Sequence, residues 1–204
     1  MTKLPRLYCI VDSAFLASTA HLISFSEELV ASGCALLQYR NKSGNARVIL
    51  EQARDLKKRL GNSVRLIMND RADLCLAAEF DGVHVGQEDL SPESVRRIIG
   101  PDRWLGVSTH NPEQLREADL TSADYLAIGP VFATSSKDKP DPVVGLEGVR
   151  RARALTRKPL VAIGGITRAN AVSVIEAGAD SVAVISDLLR EPRNSAEEFF
   201  RILG

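Results

Sequence analysis

Gln38, Arg40 and Lys42 occupy every second position of Ala35-Leu36-Leu37-Gln38-Tyr39-Arg40-Asn41-Lys42, which begins as a short apolar run. Side chains alternate between the two faces of a strand, so the three are predicted to share one face. Two cations on a sheet face need solvent or a countercharge. With an amide beside them, at the C-terminal end of a strand, they read as a seat for an anion.

Other apolar runs end in the same way. Asn69 and Asp70 follow one, Gln87-Glu88-Asp89 a second and Ser108-Thr109-His110 a third. If Asp70 and Asp89 end adjacent strands, about 4.8 Å apart, their carboxylates can share one hard cation. Magnesium suits such a pair, because it takes one or two carboxylates plus phosphate oxygens. The plainer alternatives are a helix cap for Asp70 and a turn for Asp89. Arg40, Lys42 and Lys137 bring positive charge to the same mouth, Arg for bidentate phosphate contacts and Lys as a point charge.

A second anion site is expected where Ile163-Gly164-Gly165-Ile166-Thr167 and Val184-Ile185-Ser186 end the last two apolar runs. Backbone N–H groups there can hold a phosphate, and glycine lets it approach. Thr134-Ser135-Ser136-Lys137-Asp138-Lys139-Pro140-Asp141-Pro142 is a long polar loop among short ones, as expected of an active-site lid. His84, between Val83 and Val85, reads as a core histidine, and His110 as a residue of the mouth. No zinc spacing and no G-x-S-x-G elbow is present. A metal-assisted pyrophosphate pocket beside a monophosphate pocket fits transfer of a group from a pyrophosphate ester to a phosphorylated acceptor. No residue pair is tuned for acid–base work, so positioning and electrostatics are expected to carry the catalysis.

These residues need a frame that gathers strand ends. Eight strand-like runs are predicted at Leu7–Val11, Ala35–Arg40, Arg65–Asn69, Gly82–Val85, Leu105–Ser108, Tyr125–Gly129, Leu160–Ile163 and Ser181–Ile185. Helix-like stretches follow them at Ser24–Ser32, Asn45–Leu60, Ala72–Glu79, Pro92–Ile99, Pro112–Ala118, Leu146–Leu155, Arg168–Ala177 and Ala196–Ile202. Ser91-Pro92 and Asn111-Pro112 put a cap before a first-turn proline, and Gly33, Gly61, Gly100 and Gly178 stop their helices. The strands are apolar without clean alternation, as in sheets covered on both sides. This predicts one α/β domain over 1–204, a single (β/α)8 TIM barrel, with its chemistry at the C-terminal strand ends. The rival, an open doubly wound sheet, needs a glycine-rich turn after the first strand, where Asp12-Ser13-Ala14-Phe15 stands instead.

The 204 residues carry 26 basic and 26 acidic side chains without a basic run, which argues against nucleic acid as a partner. No apolar run approaches the ~20 residues of a membrane span, and the first residues lack the sections of a signal peptide. The cytoplasm is the expected compartment. Cys9, Cys34 and Cys75 are dispersed, as structural thiols in a reducing environment are.

Six motifs in register, Gln38-Tyr39-Arg40-Asn41-Lys42, Asn69-Asp70-Arg71, Asp81 to Asp89, Gly106 to His110, Gly129-Pro130-Val131-Phe132 and Ile163 to Thr167, resemble the thiamine-phosphate synthase family along nearly the whole chain. The resemblance implies a transferase that joins hydroxymethylpyrimidine diphosphate to hydroxyethylthiazole phosphate, giving thiamine phosphate and pyrophosphate. Gln38, Arg40, Lys42, Asn69 and Lys137 would hold the diphosphate substrate, with Gln38 at its pyrimidine end, and Asp70 and Asp89 would hold magnesium. Ser108 would contact the pyrophosphate or the pyrimidine. Thr134, Ser136, Gly165, Ile185 and Ser186 would hold the thiazole phosphate. Arg40, Lys42, Ser108 and Lys137 would be catalytic in a dissociative mechanism. The family's lid reads Thr-x-Thr-Lys, and here it is Thr134-Ser135-Ser136-Lys137, which keeps the hydroxyl and loses a methyl.

Partners are therefore expected to be small molecules, with no nucleic acid and no membrane, and the barrel is compatible with a homo-oligomer. Two alternatives stand beside this reading. A thiazole tautomerase-like isomerase shares the fold, but that branch carries a histidine where Pro130 stands and tends to lose Lys42, Asn69 and Asp70, all present here. A non-catalytic phosphate-ligand barrel would need the phosphate loops but not the paired carboxylates.

Overall fold

A computed structural model of the chain describes residues 4–134 and 141–204. Its strands are β1 (Leu7–Asp12), β2 (Leu36–Arg40), β3 (Arg65–Asn69), β4 (Gly82–Val85), β5 (Trp104–Thr109), β6 (Tyr125–Ile128), β7 (Leu160–Ile163) and β8 (Ser181–Val184). They close in sequence order into one parallel barrel, β1 pairing with both β2 and β8. The helices are α1 (Thr19–Ala31), α2 (Ala46–Leu60), α3 (Ala72–Ala77), α4 (Pro92–Ile99), α5 (Pro112–Asp119), α6 (Gly145–Leu155), α7 (Ala171–Glu176) and α8 (Pro192–Leu203). The (β/α)8 TIM barrel expected from the alternation is the fold observed.

Period two sorts each strand into two cores. Leu7, Cys9 and Val11 of β1, and Leu37 and Tyr39 of β2, pack outward with Leu22, Phe25 and Leu29 of α1. Each of these buried apolar side chains contributes about 2 kcal/mol of transfer free energy. Tyr8 and Ile10 of β1, Leu36, Ile67, Tyr125, Ala127, Val161 and Ala183 point inward and fill the barrel. At its lower end the Arg65 guanidinium lies 4.0 Å from the centroid of the Trp104 ring. Above the apolar filling, the same inward rows continue as Gln38, Arg40, Asn69, His84 and Ser108, which is how the strands deliver polar groups to one mouth.

The capping signals act as their chemistry requires. Asn45, Ser91 and Asn111 each accept a backbone N–H three residues on, and Pro92 and Pro112 open their helices. Three helices start elsewhere than the pattern indicated. Helix α1 begins at Thr19 rather than Ser24, because Ser18 caps it by accepting the His21 N–H at 3.1 Å. Helix α7 begins at Ala171 rather than Arg168, since Asn170 Oδ1 accepts the Thr167 N–H at 2.8 Å and closes a turn there. Helix α8 begins at Pro192 rather than Ala196, with the proline in its first turn.

The three cysteines are buried and free. The neighbouring Cys34 thiol and burial push the Cys9 thiol well up, and burial pushes Cys75 up to about 12. Both stay protonated and pack as small apolar groups, matching the structural role expected of them. Among the described residues no helix is long and apolar enough to cross a membrane.

Candidate active site

The main pocket opens at the C-terminal ends of the strands. Of the residues singled out from the sequence, Gln38, Arg40, Asn69, Ser108, Thr134, Gly165, Ile185 and Ser186 line it together. They come from six strands or the loops just after them, and closure of the barrel is what brings them together. Ser136 and Lys137 lie outside the described residues.

Lys42 does not share the face of Gln38 and Arg40 as expected. Strand β2 ends at Arg40, so the alternation stops before Lys42. Its ammonium, half-exposed, turns sideways to pair with Asp70. Arg40 is not an open cation either. It is ion-paired with Asp12, whose carboxylate is 1% exposed and also accepts the Ala14 N–H at 3.0 Å. Asp12 is a site residue that the sequence reading missed. The sign it left was an acidic residue at a strand's C-terminal end, directly opposite Arg40 in register.

Asn69 carries an orphaned donor: its buried Nδ2 has no hydrogen-bond partner among the described residues. Leaving a buried amide N–H unpaired costs about 1–3 kcal/mol, a cost that a ligand acceptor removes. Asn69 as a residue lines the pocket.

Asp70 holds a left-handed backbone, φ 63°, at a cost of about 1–2 kcal/mol for a non-glycine residue. Its N–H donates to the His84 carbonyl at 2.8 Å, which ties the end of β3 to β4. It does not cap α3, whose N-cap is Arg71 with no side-chain bond. Burial raises the Asp70 pKa above the usual aspartate range; Lys42 opposes this and the nearby Asp89 carboxylate reinforces it. The two carboxylates therefore stand close enough to interact. Asp89 also closes its own turn, accepting the Gly86 N–H at 2.7 Å. Two hard oxygen donors beside the pocket fit a magnesium ion.

Gly164 and Gly165 line the pocket and also serve a packing purpose. Both have positive φ, and a Cβ on Gly164 would stand 2.5 Å from the Pro130 side chain. A Cβ on Gly165 would stand 2.5 Å from the Ala133 carbonyl oxygen. Their bareness lets the segment after β6 lie against β7, where Val131 and Phe132 donate to the carbonyls of Ile163 and Gly164 at 2.9 and 3.0 Å. The loops after β7 and β8 are joined through Arg168, which bonds to Asp187 at 3.0 Å and to Glu198 at 2.8 Å.

Both inner histidines line the pocket. His110 Nδ1 donates to the Gly129 carbonyl at 2.6 Å, and its Nε2 is 3.5 Å from Asp141, so it belongs to the mouth as expected. His84 is satisfied, with Tyr125 Oη 3.1 Å from Nδ1, but its Nε2 lies 2.8 Å from Ser108 Oγ and so reaches the site. Among the described residues no group of three or more His, Cys, Asp or Glu side chains forms a metal cluster.

Comparison with known proteins agrees with this fold. Residues 7–188 match the family model described as thiamine monophosphate synthase. A thiamine-phosphate synthase of Koribacter versatilis is 63% identical over 204 residues, covering 98% of this chain and 97% of that protein. A thiamine-phosphate synthase of Chloroflexus aurantiacus is 44% identical over 184 residues, covering 89% and 83%. Among solved structures, a thiamine phosphate pyrophosphorylase from Pyrococcus furiosus superposes with a TM-score of 0.86 at 31% identity, covering 97% of this chain and 95% of that one. With the motifs, the barrel and the pocket in agreement, the chain belongs to the thiamine monophosphate synthase family.

Proposed function

We propose that this enzyme is a thiamine-phosphate synthase, transferring the hydroxymethylpyrimidine group from its diphosphate to hydroxyethylthiazole phosphate. The observation that carries the reading is the convergence of Gln38, Arg40, Asn69 and Ser108 on one pocket wall, with Asp70 directly following Asn69 in the chain.

The roles follow from chemistry and placement. Gln38, deepest of the four at 3% exposed, meets the uncharged pyrimidine end. Arg40, Lys42 and the Asn69 amide meet the diphosphate, joined by Lys137 from the loop. Asp70 and Asp89 would hold magnesium, which when bound supplies Lewis-acid stabilisation of the leaving pyrophosphate. Thr134, Gly165, Ile185 and Ser186 hold the thiazole phosphate across the pocket, and Ser136, outside the described residues, is assigned to it by the family motif.

The bond from the pyrimidine's methylene carbon to the bridging oxygen breaks first, and its electron pair leaves with the pyrophosphate. The resulting cation is stabilised by the pyrimidine, and the thiazole nitrogen captures it by donating its lone pair. Cations and fixed N–H donors around the leaving group need no reorganisation as its charge develops. Holding both reactants in one rigid pocket supplies the remaining advantage. The buried free thiols suit a reducing compartment, and we place the enzyme in the cytoplasm.

Incubating the purified protein with both substrates, with and without magnesium, tests the reading. Thiamine phosphate and pyrophosphate should form in equal amounts and only with the metal. Absence of pyrophosphate release under every condition would refute it.

A further inference from the structure

Five side chains from five strands form one buried hydrogen-bonded chain across the barrel. Gln38 Nε2 donates to Tyr8 Oη at 2.8 Å, and Tyr8 Oη lies 3.0 Å from Tyr125 Oη. Tyr125 Oη lies 3.1 Å from His84 Nδ1, and His84 Nε2 lies 2.8 Å from Ser108 Oγ. Both ends, Gln38 and Ser108, line the pocket. Tyr125, at the centre, is fully buried two residues below Ala127 on β6.

Proton counting gives this chain a direction. Each hydroxyl donates once, and a neutral imidazole donates from one nitrogen and accepts at the other. Gln38 already donates to Tyr8, so the Tyr8 O–H has Tyr125 as its acceptor within the chain. Tyr125 then donates to Nδ1, and Nε2–H donates to Ser108 Oγ. The Ser108 hydroxyl proton is left to point at a ligand. The reverse direction aims both the Gln38 N–H and the Tyr125 O–H at one Tyr8 oxygen and leaves the Tyr8 proton with no acceptor in the chain. A doubly protonated His84 has the same fault. Buried hydroxyls without an acceptor are disfavoured. Burial also pushes both phenols up, so neither gives up its proton to the chain.

The barrel is shaped to admit this link. A Cβ on Gly106 would stand 2.1 Å from the Tyr125 ring and 2.4 Å from His84 Nδ1, so only glycine at that inward position of β5 lets the two meet. The Tyr125 ring is further held between Tyr8, His84 and Trp104, with centroids 6.1, 5.6 and 6.4 Å away.

We propose that Tyr125 is a positioning residue that acts through the Nε2–H tautomer of His84 to hold Ser108 as a hydrogen-bond donor toward the substrate. Gln38, with an N–H engaged by Tyr8, presents its amide oxygen at the other end. The wall therefore selects a substrate with an N–H donor at the Gln38 end and an acceptor atom at the Ser108 end. The roles of substrate and turnover rest on the synthase reading; the tautomer does not.

The test uses the whole enzyme labelled with ¹⁵N-histidine, the three imidazoles being assigned through His21→Gln and His110→Gln. His84 should carry its proton on Nε2 in the wild type. In Tyr125→Phe that preference should give way to a mixture, and kcat should fall about tenfold with KM about unchanged. A wild-type proton on Nδ1, or an unaltered tautomer and kcat in Tyr125→Phe, overturns the assignment. If Tyr125→Phe does not fold, the wild-type tautomer decides alone. A wild type that shows the Nε2–H tautomer but makes no thiamine phosphate sinks the synthase reading and leaves the chain's direction standing.

Discussion

Asp12 at the end of β1 is the register partner of Arg40 at the end of β2, and the two side chains form an ion pair at the pocket wall. The guanidinium thus reaches the site already aimed and partly neutralised. On the proposed function, a diphosphate would share it with Asp12 rather than meet a bare charge.

Asp12→Asn should therefore lower kcat about tenfold, through loss of aim rather than loss of charge. Removing one member of a buried pair should also destabilise the fold by about 1–3 kcal/mol. Steady-state kinetics and a thermal melt check both, and an unchanged melting temperature would mean that the pair contributes nothing.

Asn69→Ala should behave in the opposite sense on stability. It deletes a buried donor that has no partner among the described residues, so the free protein should melt at the same temperature or higher. Turnover should fall about tenfold or more as the substrate contact is lost. A clear drop in melting temperature would make Asn69 a structural residue.

Asp70→Ala and Asp89→Ala should each abolish magnesium-dependent turnover while the thiazole phosphate still binds. Asp89→Ala should loosen the Gly86 turn as well, since it removes that N–H's acceptor. Calorimetric titration with thiazole phosphate distinguishes the two pockets, and equal loss of its binding in both variants would show that they are one.

The raised pKa of Asp70 predicts a pH-dependent metal requirement. Its protonated form persists to higher pH than that of an ordinary aspartate near ~3.9, and only the carboxylate binds the cation. The magnesium needed for half-maximal pyrophosphate release should therefore rise as pH falls toward that value, starting above it. Lys42→Met removes the charge that holds this pKa down, so the rise should begin at still higher pH. A shift in the other direction would contradict the link between Lys42 and Asp70.

Gly165→Ala should destabilise the enzyme by about 1–3 kcal/mol, because φ is 63° there and the new Cβ meets a backbone carbonyl. The affinity for thiazole phosphate should weaken with it, as the segment after β6 is pushed from β7. Titration and a melt on the same sample check this, and intact stability would show that the segment yields freely.

The amino-acid sequence by itself determined the eight-fold alternation, the caps at Ser91 and Asn111 and the gathering of Gln38, Arg40, Asn69 and Ser108 at the mouth. Those follow from local rules: period two in strands, capping side chains, and polar residues at strand ends. Lys42 escaped them because period two holds only while the strand lasts, and β2 ends at Arg40. The starts of α1, α7 and α8 escaped as well, since Ser18, Asn170 and Pro192 outweigh apolar spacing there.

Only the tertiary structure decided the pairings. Asp12 with Arg40, Lys42 with Asp70, and the packing of Pro130 and Ala133 on Gly164 and Gly165 all join separate β/α units. The chain from Gln38 to Ser108 depends on Tyr8 and Tyr125, which are 117 positions apart and within reach only because β1 and β6 face each other across a closed barrel. Alternation tells which side chains point inward. Which of them touch is set by closure and register, and those are properties of the whole barrel.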